Sequence, residues 1–200
     1  MTRDYFARSA AFFTGQRALD MRSVGAGQTD PDTITRLSAE PLYNATLRTT
    51  CVTTMLSAGH AENALAQTAR ATVNCRVLLW DDLAAVEQQL REVVGTPTIE
   101  ITQTMAPTTS PPSQLTATIL EPVEQISAEL WPGVPVIPTL STGATDSLWL
   151  RNAGIPMYGL SGIFVDVNDV HAHGRNERVE QARLYEGREF LYRLIKRLAG

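Results

Sequence analysis

ATLRTTCVTTMLSAGHAENALAQTARATVNCRVLL, residues 45–79, decides how this chain folds. Its flanks, 45–57 and 68–79, are dense in Thr, Val and other strand formers, and the insert AGHAENALAQ (58–67) holds Gly59, His60 and Asn63. β-Branched side chains suit a pleated surface, and a polar, Gly-containing insert supplies the reversal. The pattern therefore predicts a long-looped antiparallel hairpin. A turn near Glu62 and Asn63 sets Cys51 and Cys75 nearly opposite each other. Buried free thiols are the expected state of that pair, with a cross-strand disulfide open to it in an oxidising compartment.

Outward from the hairpin, Asp81 and Asp82 open a helix that carries Leu83, Val86, Leu90, Val93 and Val94 on one face, and Gly95 supplies its stop. Residues 98–104 predict a further short strand. Strand, strand, helix, strand is most of a ferredoxin-like α+β unit lacking its first strand. Upstream, Tyr5, Phe6, Phe12, Phe13 and Leu19 recur at near-helical spacing, which predicts an amphipathic helix over 3–20. Gly25, Gly27 and Pro31 break it, and 33–38 is read as a short second helical piece.

MAPTTSPPS, residues 105–113, is the domain boundary: three prolines among Ser and Thr favour an extended, stiff connection. The organisation expected is thus a unit over 1–106, a linker over 107–113 and a second unit over 114–200. In the second unit, 114–130 is helical by spacing, with Pro122 requiring a kink or a fresh start. Short strands are expected over 134–139 and 155–160, a helix over 146–152 and a long closing helix over 177–198. That alternation suggests part of a layered α/β domain.

Composition narrows the function classes. The 200 residues carry a formal net charge of −4 with no long basic run, which argues against a nucleic-acid footprint. No apolar run approaches bilayer-spanning length, so no membrane role is expected. The N-terminal MTRDYFARSAAFF lacks the features of a signal peptide, and location, cytoplasmic or periplasmic and secreted, stays open. Two cysteines are too few for a disulfide scaffold and lack metal-ligand spacing.

The residues suited to chemistry lie mostly between 140 and 179. His171 and His173 stand in a polar loop beside Asp166, Asn168 and Asp169, with Glu177 four residues after His173. Such an imidazole has a free nitrogen and nearby carboxylates to orient it, as metal-bound histidines do. On local chemistry alone, two surface histidines before a helix N-terminus rich in acceptors are the favoured reading of the loop. STGATDS (141–147) is a small-residue loop between a predicted strand and helix, which a capping turn centred on Asp146 accounts for by itself.

Three segments in this order, NALAQTARATVNCR (63–76), STGATDS (141–147) and HAHGRNERV (171–179), resemble the C-terminal half of the dinuclear-zinc amidohydrolases and metallopeptidases, the family of glutamate carboxypeptidase, aminoacylase and succinyl-diaminopimelate desuccinylase. The resemblance implies a ferredoxin-like lid, or dimerisation, domain followed by the last part of a layered α/β catalytic domain. It implies amide hydrolysis on a small peptide or N-acyl amino acid, two zinc ions per intact enzyme, and a homodimer formed through the lid. In such enzymes the metals supply the nucleophile near neutral pH and polarise the carbonyl.

Carried over position by position, the resemblance makes His173, with Glu177 at the family spacing, a zinc ligand, and gives His171 no ligand role. It sets Thr142, Gly143 and Ala144 at the substrate with backbone groups. It aims Asn63 and Arg76 at a substrate carboxylate or developing oxyanion, a task for which an amide N–H and a planar guanidinium are suited. Thirteen residues apart, these two are expected near one end of the hairpin ladder. Ala66 stands where relatives often carry Pro, which loosens the bend, and His60 is read as a surface residue. The family's remaining zinc ligands and catalytic acid belong to an N-terminal part, and these residues contain no H-x-D motif and no Glu-Glu pair. No catalytic residue is therefore assigned, and the isolated chain is expected to be inactive. The rival expectation is a non-catalytic dimerisation or binding module.

Overall fold

A computed structural model describes residues 2–200. The chain divides into two units, 1–111 with 138–148, and 112–137 with 149–200. The division at 111/112 falls inside the proline-rich connection, but 138–148 groups with the first unit, where a second unit running unbroken from 114 to 200 was expected.

The first unit begins with four short helices, α1 (Thr2–Ser9), α2 (Gly15–Gly25), α3 (Pro31–Ser38) and α4 (Pro41–Leu47). The single helix expected over 3–20 is broken by a 3-10 turn at Ala10–Phe12 and by extended backbone at Phe13 and Thr14. The reason is packing: the chain folds back so that Phe6, Ala10, Met21, Val24, Leu37 and Tyr43 bury one another. Phe6 meets Tyr43 edge-on at 5.7 Å. Gly25 lets α2 approach α1 closely, since a Cβ there would lie 2.8 Å from Ala7. Pro31 at the first turn and the Asp30 carboxylate, which accepts from Thr33 N at 2.9 Å, start α3.

Within this helical core Asp20 is 3% exposed, yet fully partnered. Arg36 grips it with two hydrogen bonds, Nε to Oδ2 at 2.9 Å and Nη2 to Oδ1 at 2.7 Å, and Gln16 Nε2 donates to Oδ1 at 2.9 Å. The guanidinium bonds outweigh burial and hold the Asp20 pKa down at about 2.

The hairpin forms as expected: β1 (Thr50–Ala58) and β2 (Ala69–Arg76) are antiparallel, Cys51 lies opposite Cys75, and a bulge falls between Thr53 and Met55. Residues 45–47, read as strand, instead end α4, where the buried Thr46 hydroxyl donates back to Tyr43 O at 2.9 Å. Thr49 ties the base of the hairpin, accepting from Leu78 N at 3.0 Å and donating to Asp81. The expectation of buried thiols is overturned, because Cys51 and Cys75 form a disulfide and Cys51 is exposed. Helix α5 (Leu83–Val94) starts on the Asp82 carboxylate, which accepts from the amides of Ala84 and Ala85, and stops at Gly95 with φ 66°.

Among the described residues, β1–β2 is the only sheet. Three expected strands are absent, and each segment is held otherwise. Residues 98–104 lack a ladder, and Arg91 Nη2 donates to Ile101 O at 3.0 Å. Over 155–160, Met157 N donates to Ser113 Oγ at 2.8 Å and Tyr158 Oη to Gln114 O at 2.6 Å. Residues 134–139 are irregular after the turn that joins Val134 N to Trp131 O. A strand exists only with a partner to take its amides and carbonyls, and none is adjacent here. Of the expected ferredoxin-like unit a hairpin and a helix are thus present without a closed sheet, and among the described residues the second unit has no strands where a layered α/β arrangement was expected.

That second unit is built on α6 (Ala117–Leu130) and α8 (Gln181–Ala199), which bury Val123 and Ile126 against Phe190 and Leu194. Helix α6 runs through Pro122 with no fresh start, giving up the N–H that would have bonded residue 118. Residues 161–163 cross α8 at Gly187, where a Cβ would lie 2.6 Å from Ile163 Cγ1. Helix α7 (Ser147–Asn152) matches the helix expected over 146–152.

Candidate functional site

The loop over 166–178 folds around Asp169. The Asp166 carboxylate accepts from Asn168 N at 2.8 Å, and Asp169 N donates to Asp166 O at 3.0 Å. Arg178 reaches back nine residues to grip both Asp169 oxygens, with Nε at 3.0 Å from Oδ2 and Nη2 on Oδ1. His171 Nε2 lies 2.9 Å from Asp169 Oδ1. The Arg178 hydrogen bonds, more than His171, hold the Asp169 carboxyl below its usual range. Sequence reading missed this clasp, since nothing local marks an Asp and an Arg nine residues apart as partners.

His173 sits at the tip, where Gly174 N donates to His171 O at 2.8 Å and closes a tight turn. Its backbone has φ 62°, the only positive value on a described non-glycine residue. That conformation, sparsely populated by side-chain-bearing residues, lifts the imidazole to the surface. His171 has Asp169 as its partner.

The donor set does not fit a zinc site on its own. Among the described residues no group of three or more His, Cys, Asp or Glu side chains could hold a metal. Asp169 is occupied by Arg178 and His171, so the 166–178 loop offers His173 and no complete set.

The remaining residues of interest are dispersed. Thr142, Gly143 and Ala144 form an exposed turn in which Gly143 N donates to Ser141 Oγ at 3.3 Å. Asn63 lies in the hairpin loop with His60, both exposed. Arg76 ends β2 opposite Thr50, at the base of the ladder. The expectation that Asn63 and Arg76 share one end is therefore corrected: at about 3.3 Å per residue, a full strand length of roughly 25 Å separates the loop from the base. A thirteen-residue spacing spans the ladder instead of closing it.

Comparison with known proteins gives these features a context. Residues 20–102 match the model of the peptidase dimerisation domain. The human N-fatty-acyl-amino acid synthase/hydrolase PM20D1 is 27% identical over 165 residues, covering 80% of this chain and 33% of that protein. The probable carboxypeptidase S-like 2 of Dictyostelium discoideum is 26% identical over 164 residues, covering 80% of this chain and 31% of that protein. The chain thus spans about a third of the length of the curated relatives it matches. No solved structure matches.

Proposed function

We propose, for a chain that carries the peptidase dimerisation domain of the amidohydrolase and metallopeptidase family, that it is the dimerising and C-terminal portion of a zinc-dependent hydrolase cleaving the amide bond of an N-acyl amino acid or small peptide. The observation that carries this reading is the order of its motifs: the dimerisation match over 20–102 comes first, followed by the 141–147 turn and the His173 loop. The names of the relatives, an N-fatty-acyl-amino acid hydrolase and a carboxypeptidase-like protein, point to the same bond class.

In this reading His173 is the one metal ligand the chain contributes, exposed on a turn whose root is clasped by Asp169 and Arg178. Thr142, Gly143 and Ala144 offer backbone groups to substrate. Asn63 and Arg76 act at separate places, the guanidinium on a carboxylate and the amide on an oxyanion. No catalytic step is assigned to these 200 residues, and the chain by itself is inactive. The purified chain should bind zinc weakly and turn over neither N-acyl amino acids nor dipeptides. Chelator-sensitive turnover by the pure chain would overturn the inactive-portion reading.

A second reading, a non-catalytic dimerisation or binding module, is favoured by one observation: no described group of side chains could hold a metal. Mixing the chain with a separately expressed segment carrying an H-x-D motif and a Glu-Glu pair from the same gene neighbourhood discriminates. Zinc-dependent amidase activity that falls when His173→Ala replaces the native chain supports the hydrolase. Assembly with no activity and no zinc uptake supports the module.

A further inference from the structure

The hydrolase reading gives the Cys51–Cys75 disulfide no role, although the bond lies one rung from Arg76 on the ladder. By the ladder register and strand alternation, one face of the hairpin carries Cys51, Thr53, Leu56 and Ala58 with Ala69, Ala71, Val73 and Cys75. That face is apolar, yet Leu56 is 78% exposed, and no residue of β1 or β2 is buried. Two physical consequences follow. A two-stranded hairpin without a packing layer is marginal in water. Its register is also weakly specified, because a one-residue slip moves side chains between two faces that are both in solvent. The bulge between Thr53 and Met55 already shifts the pairing once. The side-chain link between opposite positions is what selects this register over its neighbours.

We propose that Cys51–Cys75 is a thiol–disulfide exchange site at which an external dithiol reductant unlocks the dimerisation-domain hairpin. Cys51 is exposed and Cys75 half-buried, so attack falls on the Cys51 sulfur. The reductant's thiolate bonds to Cys51 Sγ, the S–S bond breaks, and Cys75 leaves as a thiolate that takes up a proton. The reductant's second thiol then displaces Cys51, closing the reductant's own disulfide and leaving Cys51 as a thiol. Two electrons and two protons reach the protein, and the dithiol is oxidised. A dithiol fits because its second thiol resolves the mixed disulfide intramolecularly, ahead of re-attack by the Cys75 thiolate.

With the link gone, the Thr49 hydrogen bonds to Leu78 and Asp81 still hold the base of the hairpin, but nothing fixes the register beyond it. The proposal is independent of zinc and of hydrolysis, so neither outcome of those tests bears on it.

The test is alkylation and amide hydrogen exchange, read by mass spectrometry on the 200-residue chain. Prepared without reductant, it should show no alkylatable thiol. With dithiothreitol, two thiols should appear per chain. Exchange over 50–58 and 69–76 should then accelerate by about a hundredfold, the scale set by the closure entropy of a loop this long, while α1–α4 keep their protection. Glutathione disulfide should restore the slow exchange. The Cys51→Ser, Cys75→Ser double variant should exchange fast throughout and ignore dithiothreitol. Hairpin exchange that is unchanged on reduction and in the double variant overturns the proposal. So does a pair of thiols that stays free under oxidising conditions, or equal acceleration in the α1–α4 helices.

Discussion

Asp20 is the only carboxylate buried among the described residues, and its energetics follow from Arg36. Because Arg36 is 45% exposed in its side chain, water screens part of the pair. The contribution is about 1–2 kcal/mol rather than the whole of the pKa shift. The folded pKa of about 2 lies below the ordinary 3.8, so this stabilisation is complete above that ordinary value and is lost as pH falls through it toward the folded one. Asp20→Ala, which strands the Arg36 and Gln16 donors, should lower stability by about 2 kcal/mol in urea unfolding at neutral pH. It should also flatten the acid limb of the stability curve. An acid limb identical to that of the native protein would show that the pair contributes nothing.

At the level of elements, two positions report whether local chemistry or packing governs. The Asp82 carboxylate satisfies two amides at the start of α5, a helix that buries none of its residues. With no packing to compensate, Asp82→Ala should cost about 1 kcal/mol and fray the first turn, visible as faster amide exchange over 83–86. Gly187 is the opposite case. Alanine there improves helix propensity but drives a Cβ to 2.6 Å from Ile163 Cγ1 and 2.8 Å from Ser161 O. The backbone oxygen cannot give way as a side chain would, so Gly187→Ala should destabilise the α6–α8 unit by about 1–3 kcal/mol. Calorimetry that finds this unit unchanged or more stable would place the 161–163 crossing further from α8.

For the whole molecule, the hairpin edge is where association is expected. No charged residue interrupts Thr50–Ala58, and an unpaired strand edge of β-branched residues invites a second copy. The match to a dimerisation domain points the same way. Light scattering should give a dimer or larger species, and Thr53→Lys should shift it toward monomer. A monomer mass across a wide concentration range would exclude association through this edge. Protease should cut first within 105–113, which has no regular secondary structure and contains one of the passages between the two units. Fragment masses from limited digestion check the site.

Read without a structure, residues 45–79 determined the hairpin and the facing of Cys51 and Cys75, because strand propensity and turn composition are local properties. The same holds for α5, whose cap and stop lie within its own segment. What lay beyond the sequence depends on partners distant along the chain. Helix α1 breaks because Phe6 finds Tyr43, and Asp20 is buried because Arg36 reaches it from the next helix. Residues 98–104, 134–139 and 155–160 look like strands but have no ladder beside them. Asn63 and Arg76 show the same limit at the candidate site. Their spacing is readable, but only the paired register reveals that it runs the length of the hairpin and not around its end. Propensity is a property of a segment, whereas pairing and burial belong to the tertiary structure.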